Sequence, residues 1–291
     1  MERWMRDIGN ISSAVVLVSA LLGSTPILAG PIATGQQTAD VNGTRMTVFS
    51  YRPAGCSDPS LLLVFHGARR DAADYRDHAR PLADRQCLVV IAPLFDKHAF
   101  PSWRYQRGGI VGKTGAVQDP RDWTGRLVLG LVDWARMQEG RPLAYSLIAH
   151  SAGGQFLSRL AAFVPNEAKR IVLANAGTYV FPSLAVDAPY GLGKVYSGAD
   201  GEPHLRRYLE QPLTIYLGED DVERDDRNNT AEARAQGASR HQRGLNVFDA
   251  GQKLAQVRGW TFNWRLVQLP GVGHDAQKML AAKQAADALA P

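Results

Sequence analysis

Two apolar patterns alternate along the chain. Short runs at 61–66, 88–93, 143–149, 170–175 and 213–218 are apolar at nearly every position, the signature of strands covered on both faces. Between them lie stretches with apolar residues at helical spacing. Residues 71–85 place Tyr75, Ala79 and Leu82 near one face, and 122–137 place Leu127, Leu131 and Trp134 on another. Further helices are expected over 155–163, 244–258 and 275–289, with a strand over 262–269. Ahead of all these, 33–40 and 45–51 flank Val41-Asn42-Gly43-Thr44, and Asn-Gly is a strong hairpin signal. The pattern predicts an α/β fold: a mainly parallel sheet, opened by an N-terminal antiparallel hairpin and covered by helices on both faces.

Three connections lack this periodicity. Residues 94–117 form a long loop containing Trp103, Tyr105 and the pair Gly108-Gly109, and such loops are often functional. Trp103 and Tyr105 are therefore candidate substrate contacts. Residues 176–209, rich in Gly, Pro and Tyr, read as a short insert or lid. Residues 219–240 form a polar loop.

Composition narrows the class. The 291 residues are 45% hydrophobic and 21% charged, which suits one globular domain over 30–291. The first 29 residues stand apart: Arg3 and Arg6 precede an uncharged run from 11 to 22, and Ile27-Leu28-Ala29 offers a cleavage site. This is the layout of a secretory signal peptide, too short for a comfortable membrane span, so a secreted or periplasmic protein with no stable span after processing is expected. The net charge of +5 comes from scattered Lys and Arg, without the basic patches and interleaved aromatics of a nucleic-acid binder. Cys56 and Cys87 each precede a predicted parallel strand, so both would lie at one end of the sheet, and an oxidising destination predicts a disulfide between them. Two cysteines do not make a metal site, and no cofactor motif is present. Glu223, Asp225 and Asp226 read as a solvated acidic loop rather than a calcium site.

Candidate chemistry gathers at the strand ends. The run Leu143 to His150 leads into Ser151-Ala152-Gly153-Gly154 and a helix-capable segment. This strand–turn–helix context with small residues around one Ser is that of a nucleophile elbow, though Ala149 stands where the motif has Gly. Other predicted strands end in His66-Gly67-Ala68, Gly218-Glu219-Asp220-Asp221 and Gly271-Val272-Gly273-His274. Nucleophile, acid and base therefore follow in the order Ser, Asp, His. A neutral His can take the Ser proton near pH 7, and the Asp orients and stabilises it.

On these four motifs the chain resembles the α/β-hydrolase superfamily over nearly all its mature length. Within it, the chain is similar to secreted bacterial polyester depolymerases and feruloyl-esterase-like enzymes. The resemblance implies Ser151 as nucleophile, His274 as base and Asp221 as acid, with Asp220 the alternative. It places oxyanion donors at the N–H groups of Ala68 and Ala152 and makes His66 a structural part of its loop. His150, at the variable motif position, is expected to orient the elbow or touch substrate. The expected activity is hydrolysis of carboxylic esters, small or polymeric, through an acyl-enzyme. A serine peptidase of the same fold and a catalytically silent binding protein are the competing readings.

Overall fold

The computed structural model describes residues 30–223 and 230–290. The expected signal segment 1–29, together with Asp225 and Asp226, lies outside the described residues.

The Asn42-Gly43 turn joins β1 (Gly35–Val41) to β2 (Thr44–Tyr51), with Asn42 and Gly43 both at positive φ as a two-residue hairpin turn requires. Strands β3 (Ser60–Phe65), β4 (Leu88–Pro93), β5 (Tyr145–His150), β6 (Ile171–Ala174), β7 (Leu213–Gly218) and β8 (Arg265–Leu269) complete an eight-stranded sheet. Its order is β1-β2-β4-β3-β5-β6-β7-β8; β1–β2 and β2–β4 pair antiparallel and every other neighbouring pair is parallel. The chain runs outward from β3 to β4, then returns to the opposite side of β3 as β5. The boundary between β3 and β5 is thus a topological switch point, where open α/β sheets hold ligands beyond the strands' carboxyl ends.

Burial on both faces explains the continuous apolar runs. Leu61, Leu63 and Phe65 of β3 and Leu147 of β5 join one core with Leu131 of α3 (Arg126–Glu139) and Phe156 and Leu160 of α4 (Ala152–Phe163). The alternating residues Leu62, Val64 and Ile148 join a second core on the other face. There they meet Tyr75 of α1 (Ala72–His78), Leu82 of α2 (Arg80–Gln86), Met279 of α8 (Ala276–Ala281) and Ala285 of α9 (Gln284–Leu289). Alternate side chains of one strand therefore serve opposite helical layers.

Several elements differ from the sequence expectation. The helix expected over 71–85 breaks at Ala79, where Pro81 at the second position of α2 has no N–H to continue the ladder. The terminal helix breaks near Ala282, and the Arg85 guanidinium accommodates the break by donating to the carbonyls of Ala281 and Ala282. The insert carries α5 (Gly198–Leu209), hidden from the sequence pattern by Gly198, Gly201 and Pro203. It buries Leu205, Tyr208 and Leu209 in the first core, so this half of the insert is the crossover from β6 to β7. The acidic connection also holds α6 (Ala231–Gln236), capped by the Thr230 side chain, before α7 (Arg240–Arg258).

Cys56 and Cys87 form a disulfide with their Cα atoms 5.5 Å apart. Ser60 pairs with Leu88, so both cysteines sit at the amino ends of adjacent parallel strands, opposite the carboxyl ends. The 31-residue separation predicts a stabilisation of about 3–4 kcal/mol by the chain-entropy model. Replacing both cysteines with serine is expected to lower Tm by roughly 6–15 °C with little change in turnover. Thermal unfolding beside steady-state kinetics checks this; an unchanged Tm would count against it.

Candidate active site

The carboxyl ends of β3, β5, β7 and β8 converge on Ser151. Its φ of 57° and ψ of −112° lie outside the regions an L-residue favours, a strain confined to sites where the surroundings impose it. The Ser151 N–H donates to Ala174 O at 3.0 Å, and Gln155 N–H donates to Ser151 O as α4 begins. The small residues have a steric cause. A Cβ on Gly153 would stand 2.6 Å from Phe65 O and 2.8 Å from His66 O; one on Gly154 would stand 2.9 Å from the Ala176 Cβ. Ala149, by contrast, lies in β5 itself, paired with Phe65 and Leu173, so the missing motif glycine leaves the turn intact.

His274 links Ser151 to Asp221. Ser151 Oγ–H donates to His274 Nε2 at 2.9 Å, and His274 Nδ1–H donates to Asp221 Oδ2 at 2.7 Å. Asp221 is only 2% exposed and also accepts from Arg240 Nη1 through Oδ1 at 2.8 Å. Burial alone would raise its pKa, but the hydrogen bonds and charges of His274 and Arg240 outweigh that and hold the carboxyl below its ordinary value. Asp220 is exposed, and its N–H donates to Val272 O. The two adjacent aspartates thus separate cleanly: one faces the imidazole, the other faces solvent.

Asp221 and His274 share their support. A Cβ on Gly218 would strike Val272 O, so glycine lets the Asp221 loop press against the His274 loop. Buried Asn175, at the end of β6, accepts from Gly218 N–H at 2.8 Å and donates to Gly273 O at 3.0 Å, tying both loops to the sheet. Asp275 caps α8 by accepting from Lys278 N–H, which fixes the residue next to His274.

The loop after β3 is fixed from beneath by His66. Its Nδ1–H donates to Gly67 O and its Nε2 accepts from Phe95 N–H, an arrangement that requires the neutral ring. Burial, reinforced by the nearby Arg70 charge, lowers its pKa to about 4. An unfolded His binds its proton near pH 6.5, so in the window between the two values the unfolded chain carries more protons. Stability is then present in full above pH 6.5 and lost as pH falls toward 4, by roughly 2 kcal/mol between pH 7.5 and pH 5. Denaturant midpoints across that range should fall, and less steeply in His66→Gln. Identical slopes for the two proteins would contradict this.

Ala152, the first residue of α4, has an N–H with no intrahelical acceptor, and Ala68 N–H has no acceptor among the described residues. Both flank Ser151. Ala68 and Ser151, together with Asp71, Tyr75, His78, His150 and His274, border a pocket of about 340 Å³.

One expected substrate contact is corrected, and a second is not brought to the pocket. Tyr105 is completely buried, stacked between Phe95 and Phe156 under the Arg70 guanidinium, and its hydroxyl donates to His66 O at 2.8 Å. It supports the Ala68 loop and has no surface for substrate. Trp103 is half-buried and absent from the pocket lining. The physical reason lies in Gly108 and Gly109, whose positive φ values fold this loop onto the body: a Cβ on Gly108 would stand 2.9 Å from the Arg159 Cβ. His150 does border the pocket, at 3% exposure. Tyr75, His78 and Asp71 carried no signal of a site role, because helical periodicity marks a buried face without saying what that face adjoins.

No family model matches this sequence, and neither does any curated protein. Solved structures do. The chain belongs to the α/β-hydrolase superfamily of serine hydrolases, and it resembles the depolymerase-like members of that superfamily. It is 33% identical to the poly(3-hydroxybutyrate) depolymerase LpqC from Bordetella parapertussis, with a TM-score of 0.77 over 85% of this chain and 88% of that one. It is 32% identical to poly(aspartic acid) hydrolase-1 from Sphingomonas sp. KT-1, with a TM-score of 0.78 over 85% and 96%. An S-formylglutathione hydrolase from Agrobacterium tumefaciens, 17% identical with a TM-score of 0.53 over 90% and 96%, shares the fold.

Proposed function

We propose that this hydrolase cleaves carboxylic esters through an acyl-enzyme on Ser151. The observation that carries the reading is the continuous hydrogen-bond chain from Ser151 Oγ through His274 to Asp221. His274 Nε2 takes the hydroxyl proton as Oγ attacks the substrate carbonyl, and Asp221 stabilises the resulting imidazolium. The N–H groups of Ala68 and Ala152 stabilise the oxyanion. Collapse of the tetrahedral intermediate breaks the ester C–O bond, and His274 returns its proton to the leaving alcohol. Water, deprotonated by the same imidazole, then attacks the acyl carbonyl and releases the acid and free Ser151.

The substrate is an ester with a short or aromatic acyl group, or an accessible ester of a polymer. A pocket of this size is too small to enclose a long alkyl chain. The disulfide and the character of the first 29 residues support action outside the cytoplasm, in the periplasm or beyond the cell. Among the described residues no helix is long and apolar enough to cross a membrane.

A fluorophosphonate should label the wild-type protein and leave Ser151→Ala unlabelled; equal labelling would overturn the nucleophile. Across esters from acetyl to palmitoyl, kcat/KM should peak at short chains, and a maximum at palmitoyl would reject the substrate assignment. The relative named for poly(aspartic acid), an amide-linked polymer, supports a second reading, amide hydrolysis by the same residues. Faster turnover of an amide than of every ester would promote it.

A further inference from the structure

The wall of the pocket beside Ser151 contains polar atoms that the protein leaves without partners. Asp71 Oδ1, His78 Nδ1 and His150 Nε2 are buried and have no hydrogen-bond partner among the described residues, and all three residues border the pocket. Buried polar groups are almost always paired, so three such atoms around one pocket call for a ligand that pairs them.

His150 is the most constrained of the three. The Tyr75 hydroxyl lies 3.0 Å from His150 Nδ1, the single acceptor for its hydrogen among the described residues. Tyr75 therefore donates to Nδ1, and in the neutral ring the proton must sit on Nε2. Burial first, then the proximity of His274 and Arg240, keeps the ring neutral. The Nε2–H is consequently a fixed donor, in a ring whose centroid is 4.5 Å from that of His274. Tyr75 is itself held: Gly67 approaches its hydroxyl so closely that a Cβ there would stand 2.8 Å from Oη. The tautomer is thus set by the loop that also carries Ala68.

We propose that His150 is a specificity-determining residue, whose Nε2–H donates to an acceptor oxygen of the substrate other than the scissile carbonyl. The inference rests on the ester-hydrolase reading and adds that the preferred substrate carries a second oxygen acceptor close to the bond cleaved. Tyr75 is a positioning residue that acts through His150.

Paired esters matched in length test this. On the acyl side, p-nitrophenyl 4-oxopentanoate is compared with p-nitrophenyl pentanoate; on the alcohol side, 2-oxobutyl butyrate with butyl butyrate. The readout is the ratio of kcat/KM within each pair. Wild type should favour the ketone by about tenfold in at least one pair, because a buried donor left unpaired penalises the analogue that lacks the oxygen. His150→Phe should bring that ratio near one, Tyr75→Phe should reduce it by less, and His150→Gln, which keeps an N–H donor, should restore much of it.

Fluorophosphonate labelling of each variant reports a folded site. If His150→Phe does not fold, the wild-type ratio and the His150→Gln rescue relative to His150→Leu decide the matter. A wild type that labels but shows ratios of one overturns the role of His150 alone, as does a parallel loss on both members of a pair with the ratio unchanged. Absence of both labelling and ester turnover overturns the underlying reading and this proposal with it.

Discussion

Replacing His274 with alanine is expected to lower kcat on an activated ester by on the order of 10⁴-fold or more, with a small change in KM. The Ser151 hydroxyl is a weak nucleophile unless its proton leaves as the bond to carbon forms, and His274 Nε2, in contact with it at 2.9 Å, is the base in the proposed reaction. Alanine removes that base while the pocket and the N–H groups of Ala68 and Ala152 remain. Ser151→Ala should cost a similar factor. The double variant should be no worse than either single one, because the two side chains act as one unit. Steady-state kinetics on the three proteins checks this. His274→Ala activity within tenfold of wild type would remove His274 from the chemistry.

The adjacent aspartates should diverge by orders of magnitude. Asp221→Asn is expected to reduce kcat by about 10³–10⁴-fold, since an amide can present its N–H to His274 Nδ1 and so hold the wrong tautomer, with its proton on the nitrogen that should accept from Ser151. It also removes the negative charge beside the imidazolium that forms during turnover. Asp220→Asn should stay within a few-fold of wild type, because its carboxylate is exposed and its structural contribution is the backbone N–H that donates to Val272 O. Circular dichroism and Tm on both variants separate catalysis from folding. The reverse ranking would transfer the acid role to Asp220, and two small effects would place the acid elsewhere.

The sequence by itself determined the layers and the order of the chemistry. Strands apolar at every position can satisfy both faces only between two helical layers, and Asn42-Gly43 encodes its own hairpin. The motifs ending in Ser151, Asp221 and His274 were legible because an elbow and strand-end loops demand small residues around a polar one, a local requirement that leaves a local trace. The cysteines could be paired because parallel neighbours place equivalent ends side by side.

The rest is decided by contacts between distant segments. Whether Tyr105 faces substrate or core depends on how Gly108 and Gly109 fold its loop against Arg159 of α4, some fifty residues away. Asp220 and Asp221 are indistinguishable in composition; burial against α7 and the reach of Arg240 separate them. The carbonyls at the break near Ala282 are satisfied by Arg85, nearly two hundred residues earlier. Tyr75 reads as one more apolar position of a helix, and only the packing of α1 beneath the elbow brings its hydroxyl to His150. Periodicity records which side of an element is buried. What that side meets is set by the sheet order, and there the pocket acquires its polar wall.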